Sequence, residues 1–143
     1  MSVTEAMIGY DFLYSLLSAD SGLTTHAPGG IWRGMAKPNT VTPFVVMSLQ
    51  SAPDVVTMNA YRVMVNALFL IKAVGPASAT PTLALAAADI DRMLGKPPIS
   101  GTVTGGYISS CYRESSIMLD ELVNGVLWTN IGGNFRMTIQ QTT

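Results

Sequence analysis

The stretch Tyr61-Arg62-Val63-Met64-Val65-Asn66-Ala67-Leu68-Phe69-Leu70-Ile71-Lys72-Ala73-Val74 decides the fold. Its odd positions, from Tyr61 through Val65 and Phe69 to Ala73, are all apolar. Its even positions mix Arg62, Asn66 and Lys72 with Met64, Leu68 and Leu70. A period of two predicts a strand, because successive side chains leave opposite faces of the backbone. One wholly apolar face and one mixed face predict a strand half buried in a core and half set against something else, hence the central strand of a sheet. The run is broken by Asn66 and Lys72 and is too short to cross a bilayer as a helix.

Towards the C-terminus, Gly75-Pro76 stops this strand, and Thr80-Pro81 has the form of a helix start, an N-cap hydroxyl followed by proline at the first helical position. Leu83, Ala87, Ile90 and Leu94 then make an apolar stripe, Gly95 supplies a C-cap and Lys96-Pro97-Pro98 forbids continuation. The spacing predicts a helix over 81–94. Tyr107 to Ser116 alternates weakly and is rich in β-formers, which predicts another strand. Phe135, Met137 and Ile139 alternate with Arg136, Thr138 and Gln140 and mark the last one. Between these, Asp120 to Asn130 is ambiguous. Asn124-Gly125 is a strong hairpin-turn signal, with Val126-Leu127-Trp128 able to begin a strand.

Towards the N-terminus, Pro43 to Ser51 (PFVVMSLQS) predicts a strand, joined to the central one by a connection over Ala52 to Asn59. Ile31-Trp32-Arg33 can form a short edge strand between the breakers Pro28-Gly29-Gly30 and Lys37-Pro38-Asn39. Ser2-Val3-Thr4-Glu5 has the form of a capping box, and Val3, Met7, Tyr10, Leu13, Tyr14 and Leu17 share one helical face. A helix is predicted from about Val3 to Ser18, ended by Asp20-Ser21-Gly22. The order defines an α+β fold in a single domain over 1–143, with a mainly antiparallel sheet of about four strands and two helices on one face.

The composition narrows the function. Of 143 residues 48% are hydrophobic, an ordinary share, but only 12% are charged, about half the usual one. So few charges leave little to cover the outside, which points to a surface covered by neighbouring subunits. The net charge of −1 and eight scattered Lys and Arg residues make no basic patch of the kind that phosphate binding needs. A single cysteine, Cys111, allows no intramolecular disulfide and fits a reducing cytoplasm. The first residues lack the cationic and apolar runs of a secretory signal, and the chain reads as a soluble protein without a membrane segment.

The residues that carry chemistry do not converge in the sequence. His26 is the sole histidine and reads as an exposed loop residue rather than a base or metal ligand. Cys111 falls mid-strand and reads as a small buried hydrophobe. Asp89 and Asp91, two apart on a helix, point in different directions, and Asp120-Glu121 beside a turn reads as solvated. The glycine pairs at 29–30, 105–106 and 132–133 do not extend into a phosphate-binding motif. No catalytic residue, cofactor or metal is therefore expected, and the chain reads as a non-enzyme. Trp32 and Trp128 lie in or near predicted connections, where an exposed aromatic marks an interface and a buried one caps the core.

Several local patterns carry a resemblance. The first helix, Ala27-Pro28-Gly29-Gly30, the strand Pro43 to Leu49, the tract Tyr61 to Val65 entering a long strand, the helix closing over Ile90 to Leu94, and Asn130-Ile131-Gly132-Gly133-Asn134-Phe135-Arg136-Met137-Thr138-Ile139 together resemble the tail terminator, or tail-completion, proteins of long-tailed bacteriophages. The resemblance spans almost the whole chain and lies in pattern and order. It implies a virion protein of the tail or neck, assembled in the host cytoplasm, which forms a homo-oligomeric ring, usually a hexamer. Such a ring caps the tail tube, ends tube polymerisation and offers a head–tail joining surface. The tube protein and a head–tail connector are then the partners, and DNA passes through without specific binding. Low charge and a half-apolar central strand suit such a subunit. Candidate interface residues are Trp32, Met58, Arg62, Leu122, Val126 and Trp128, several of them apolar in the loop-like connections 52–59 and 119–129. A connector or head-completion neck protein is the alternative, and a small-ligand-binding α+β domain a further one.

Overall fold

The fold is built around β4 (Arg62–Pro76), whose 15 residues are the central run of the sequence. Val65, Ala67, Phe69, Ile71 and Ala73 are fully buried, as the odd-position rule requires. The computed structural model describes residues 4–56, 62–94 and 99–141. On one side β4 pairs antiparallel with β2 (Phe44–Ser51) and β3 (Asp54–Val56), and on the other with β7 (Val126–Gln141). Beyond β2 lies β1 (Ile31–Arg33), which runs parallel to it; beyond β7 lie β6 (Gly106–Val123) and β5 (Ile99–Val103).

The result is a seven-stranded, curled mixed sheet in the order β1-β2-β4-β7-β6-β5, with β3 attached to β4 beside β2. This overturns the expectation of about four antiparallel strands with two helices: the molecule is mostly β. Two causes are identifiable. β3 and β5 have only 3 and 5 residues, too few to show a period. The segment 119–129, read as a loop-like connection, is the end of a hairpin in which β6 and β7 run for 18 and 16 residues. The connection 52–59 likewise contains β3.

Among the described residues, three α-helices, α1 (Glu5–Ser18), α2 (Ser21–His26) and α3 (Thr80–Leu94), bury their apolar residues in one core cluster with the odd face of β4. The cap of α1 is Thr4, whose Oγ1 accepts from the Met7 N–H at 3.4 Å; Ser2 and Val3 lie outside the described residues. Its buried face is Ile8, Phe12, Leu13 and Leu17, whereas Met7 and Tyr14 of the expected stripe are exposed. Gly9 sets that rotation: a Cβ there would stand 2.7 Å from the Phe69 ring, so the helix rests its bare backbone on the central strand. Tyr10 meets the same ring edge-on at 5.1 Å and accepts the Leu49 N–H on its hydroxyl.

Asp20 does not simply end α1. It is the N-cap of α2, its carboxylate accepting the Leu23 N–H at 2.9 Å. The third helix buries Leu83, Ala86, Ile90 and Leu94, with Ala87 at the margin. Thr80 is already helical, its hydroxyl donating to the Ala77 carbonyl at 2.6 Å. The C-cap expected at Gly95 and the stop at 96–98 lie outside the described residues.

Candidate assembly surface

The β6–β7 hairpin is open to solvent along much of its length, exposed from Tyr112 to Leu127 apart from Ile117. Its turn is Asn124-Gly125, with φ of 51° and 79°, the left-handed pair that a two-residue turn between twisted strands needs. The last rung that β7 shares with β4 is Trp128 opposite Pro76. Beyond it Leu122, Val123, Val126 and Leu127 continue as a two-stranded tip, extending about 10 Å with its turn. On the other edge of the hairpin, β5 pairs with β6 only as far as Cys111. Among the described residues, no strand pairs with the outer edge of β6 over 112–123.

Two bulges, between Ile108 and Ser110 and between Arg113 and Ser115, reset which side chains share a face. Past them, partners across the rungs put Met118, Asp120, Leu122 and Leu127 on the helix side of the sheet, and Leu119, Glu121, Val123 and Val126 on the helix-free side. Both sides are apolar and open to water: Leu122 is 71% exposed, Met118 64% and Leu119 56%. Together with Val123, Val126 and Leu127 they leave on the order of 500 Å² of apolar surface uncovered, the size at which a patch marks an interaction site. A two-stranded ribbon is marginal by itself, so the hairpin is held at its root. Arg136 reaches Glu114 at 3.0 Å on one face, and Arg113 reaches Asp91 of α3 at 3.4 Å on the other.

Beside that root, on the helix-free face, lies an open groove of about 570 Å³. Phe44, Val46 and Val74 give it an apolar floor, Met35 and Lys37 one wall, Glu121 and Trp128 the other, and Lys72 reaches in from β4. The wall over 34–40 continues β1. Trp32 donates from Nε1 to the Gly29 carbonyl at 2.9 Å, and Lys37 Nζ lies 5.8 Å from its ring centroid. Met35 and Val41 on this loop are 81% and 64% exposed.

The residues singled out in the sequence are thus divided. Leu122, Val126 and Trp128 come together on the hairpin, Trp128 half-buried where it lines the groove. Trp32 sits on β1, the opposite edge strand. Arg62 opens β4 opposite Val56, and Met58 lies outside the described residues. Sequence reasoning missed Met118, Leu119, Val123, Leu127 and Met35. The available signal was the apolar flanks of Asn124-Gly125, which continue on both faces past any core position.

A second polar cluster joins α2 to α3. His26 ends α2 rather than sitting in a loop, and its Nδ1 lies 2.7 Å from Asp89 Oδ2. Arg92 bridges Asp20 at 3.0 Å and Asp89 at 3.5 Å. The Leu23 amide, and then Arg92, hold the Asp20 carboxyl below its usual range. Asp89 and Asp91 turn to different partners, as their spacing requires. The cluster ties two helices together. Among the described residues, no three His, Cys, Asp or Glu side chains converge as a metal site would need. Cys111 is buried, and burial pushes its thiol up to about 12. Among those residues no helix is long and apolar enough to cross a membrane.

No family model and no curated protein matches this chain. Among solved structures it is similar to a chain described as "Virion of native gene transfer agent (GTA) particle", with a TM-score of 0.68 and 17% identity. The likeness covers 97% of this chain and 99% of that one. At that identity it establishes a shared fold, from end to end in both chains.

Proposed function

We propose that the chain is a structural subunit of a phage-type particle, and that it forms a ring, of about six copies, which caps a tail tube, ends its polymerisation and offers a surface for joining to the head. The observation that carries this reading is the end-to-end fold match with a chain of a virion particle. The uncovered hairpin adds a physical reason for assembly, since its apolar residues on both faces are stable in water only at a cost that a neighbour removes. The role is structural and not catalytic, held by apolar contact and by few charges. In a closed ring each subunit offers two different patches, one to each neighbour. The tube protein and a head–tail connector are the axial partners, and DNA passes through the ring without being read.

Tube polymerisation tests this directly. Purified tail-tube protein of the same particle is assembled with and without the chain, and tube lengths and ends are viewed by electron microscopy. The reading expects shorter tubes with a density cap at one end. Tubes of unchanged length with bare ends, together with binding to the purified connector, would move the chain to the head side of the neck.

A further inference from the structure

We propose that the β6–β7 hairpin tip of one copy seats in the groove between the 34–40 loop and the hairpin root of the next copy, so that the lateral contact of the ring is a tip-in-groove contact between identical chains. The inference rests on the ring reading and specifies which surfaces make it.

Three observations select a second copy as the occupant. First, charge is segregated along the chain. Residues 21–53 hold Arg33 and Lys37 and no carboxylate, while residues 114–135 hold Glu114, Asp120 and Glu121 and no Lys or Arg. Glu114 is taken by Arg136, whereas Asp120 and Glu121, at the base of the tip, accept only from the neutral side chains of Thr129 and Asn130 among the described residues. Glu121 already belongs to the groove wall of its own chain, so the groove offers Lys37 and Lys72 against one carboxylate. An arriving tip brings Asp120 to that excess of positive charge.

Second, the shapes and polarities match. The tip presents Leu122 and Leu127 as a cross-strand pair, and the groove floor is Phe44, Val46 and Val74. An exposed apolar knob and an open apolar groove on the same molecule, each uncovered, define a contact that a second copy completes. Third, the tip lies beyond the last β4 rung, whereas the groove lies on the body side of that rung, between the 34–40 loop and Trp128. Tip and groove are different patches of the chain, so a tip seated in the next copy's groove is a head-to-tail contact, which forms a ring when its rotation closes. The two faces of the hairpin together leave on the order of 500 Å² of apolar surface. The face with Met118, Leu122 and Leu127 brings about half of it to the groove. The polar rim and the 34–40 loop supply the rest of an interface smaller than the ~800 Å² per partner of a standard stable one.

Mixed disulfide trapping tests the proposal on the full chain. Two single variants, Met35→Cys and Asn124→Cys, are oxidised separately and as an equimolar mixture. Cys111 is buried with its thiol held protonated, so it does not compete. The proposal expects a disulfide-linked pair in the mixture at least tenfold above either variant alone, in both cases with Tm within a few degrees of wild type. A tip-to-tip disulfide in the Asn124→Cys sample alone would replace the proposal by a two-fold contact. Oligomers of ring mass without any Met35–Asn124 disulfide would overturn the tip-in-groove contact and leave the ring standing. A chain that stays monomeric, alone and on tubes, would overturn both. As an independent readout, Asp120→Lys and Lys37→Glu should each weaken self-association about tenfold, and mixing the two should restore most of it; no restoration counts against the contact.

Discussion

Replacing Leu122 by serine separates assembly from folding. The side chain is 71% exposed and stands beyond the last β4 rung, so the isolated subunit gains little from it. Substitutions at such positions shift folding stability by no more than about 0.5 kcal/mol. In an assembled state the same side chain is covered. Burying a whole leucine is worth about 1.5–3 kcal/mol, and the exposed 71% of this one is therefore worth about 1.5 kcal/mol. That corresponds to about tenfold in the dissociation constant of each subunit contact. Sedimentation velocity over a hundredfold range of concentration, together with a thermal melt, measures both quantities. The expected result is a self-association midpoint moved to about tenfold higher concentration with an unchanged Tm. An unchanged midpoint would show that the tip is not in the contact. A Tm lowered by many degrees would show instead that the leucine supports the fold of the single chain.

Four further outcomes follow from the packing and the polar cluster. Gly132→Ala should lower stability by about 3 kcal/mol or prevent folding, because a Cβ there would stand 2.0 Å from the Ile71 carbonyl oxygen of β4; urea titration measures it. Phe69→Ala, which empties the centre of the core under Gly9 and Tyr10, should cost about 3–5 kcal/mol in the same titration. Asp20→Ala removes the cap of α2 and the Arg92 partner and should cost about 1 kcal/mol. Since the folded-state pKa of Asp20 is depressed, its contribution is complete above the ordinary carboxylate value and is lost as pH falls through the folded value, so wild type and variant should converge in stability in acid. A thiol reagent at pH 8 should leave folded Cys111 unmodified and label it fully in denaturant, which mass spectrometry reads.

Much of the body was legible because its periods are long. Phe69 and Ile71 reveal β4 by alternation, Phe135 and Met137 reveal β7, and Leu83 with Ile90 and Leu94 reveal α3. The parallel edge strand Ile31–Arg33 was visible as a segment, but its direction was not, since three residues say nothing about the sense of pairing. β5 was hidden for the reason that hides any short, half-polar strand: Ser100, Gly101 and Thr102 carry no contrast between faces. The hairpin end was hidden by the opposite fault. From Met118 to Val123 apolar residues occur on both faces, so alternation vanishes just where the strand leaves the core, and only Asn124-Gly125 marked it.

The site was legible in parts. Leu122, Val126 and Trp128 were found because apolar residues in a polar-looking segment invite an interface reading. The groove was not, since Lys37, Lys72 and Glu121 are brought together by the loop after β1, by β4 and by β6 across 84 positions of sequence. The His26–Asp89 pair, 63 positions apart, was invisible for the same reason.

The central claim is that this chain is an assembly subunit that closes into a ring. Light scattering of the purified full chain, alone and after incubation with tail tubes of the same particle, tests it most directly. The account predicts a discrete species of about six subunit masses, either free or recovered from tube ends. A chain that keeps the mass of one subunit under both conditions would contradict it.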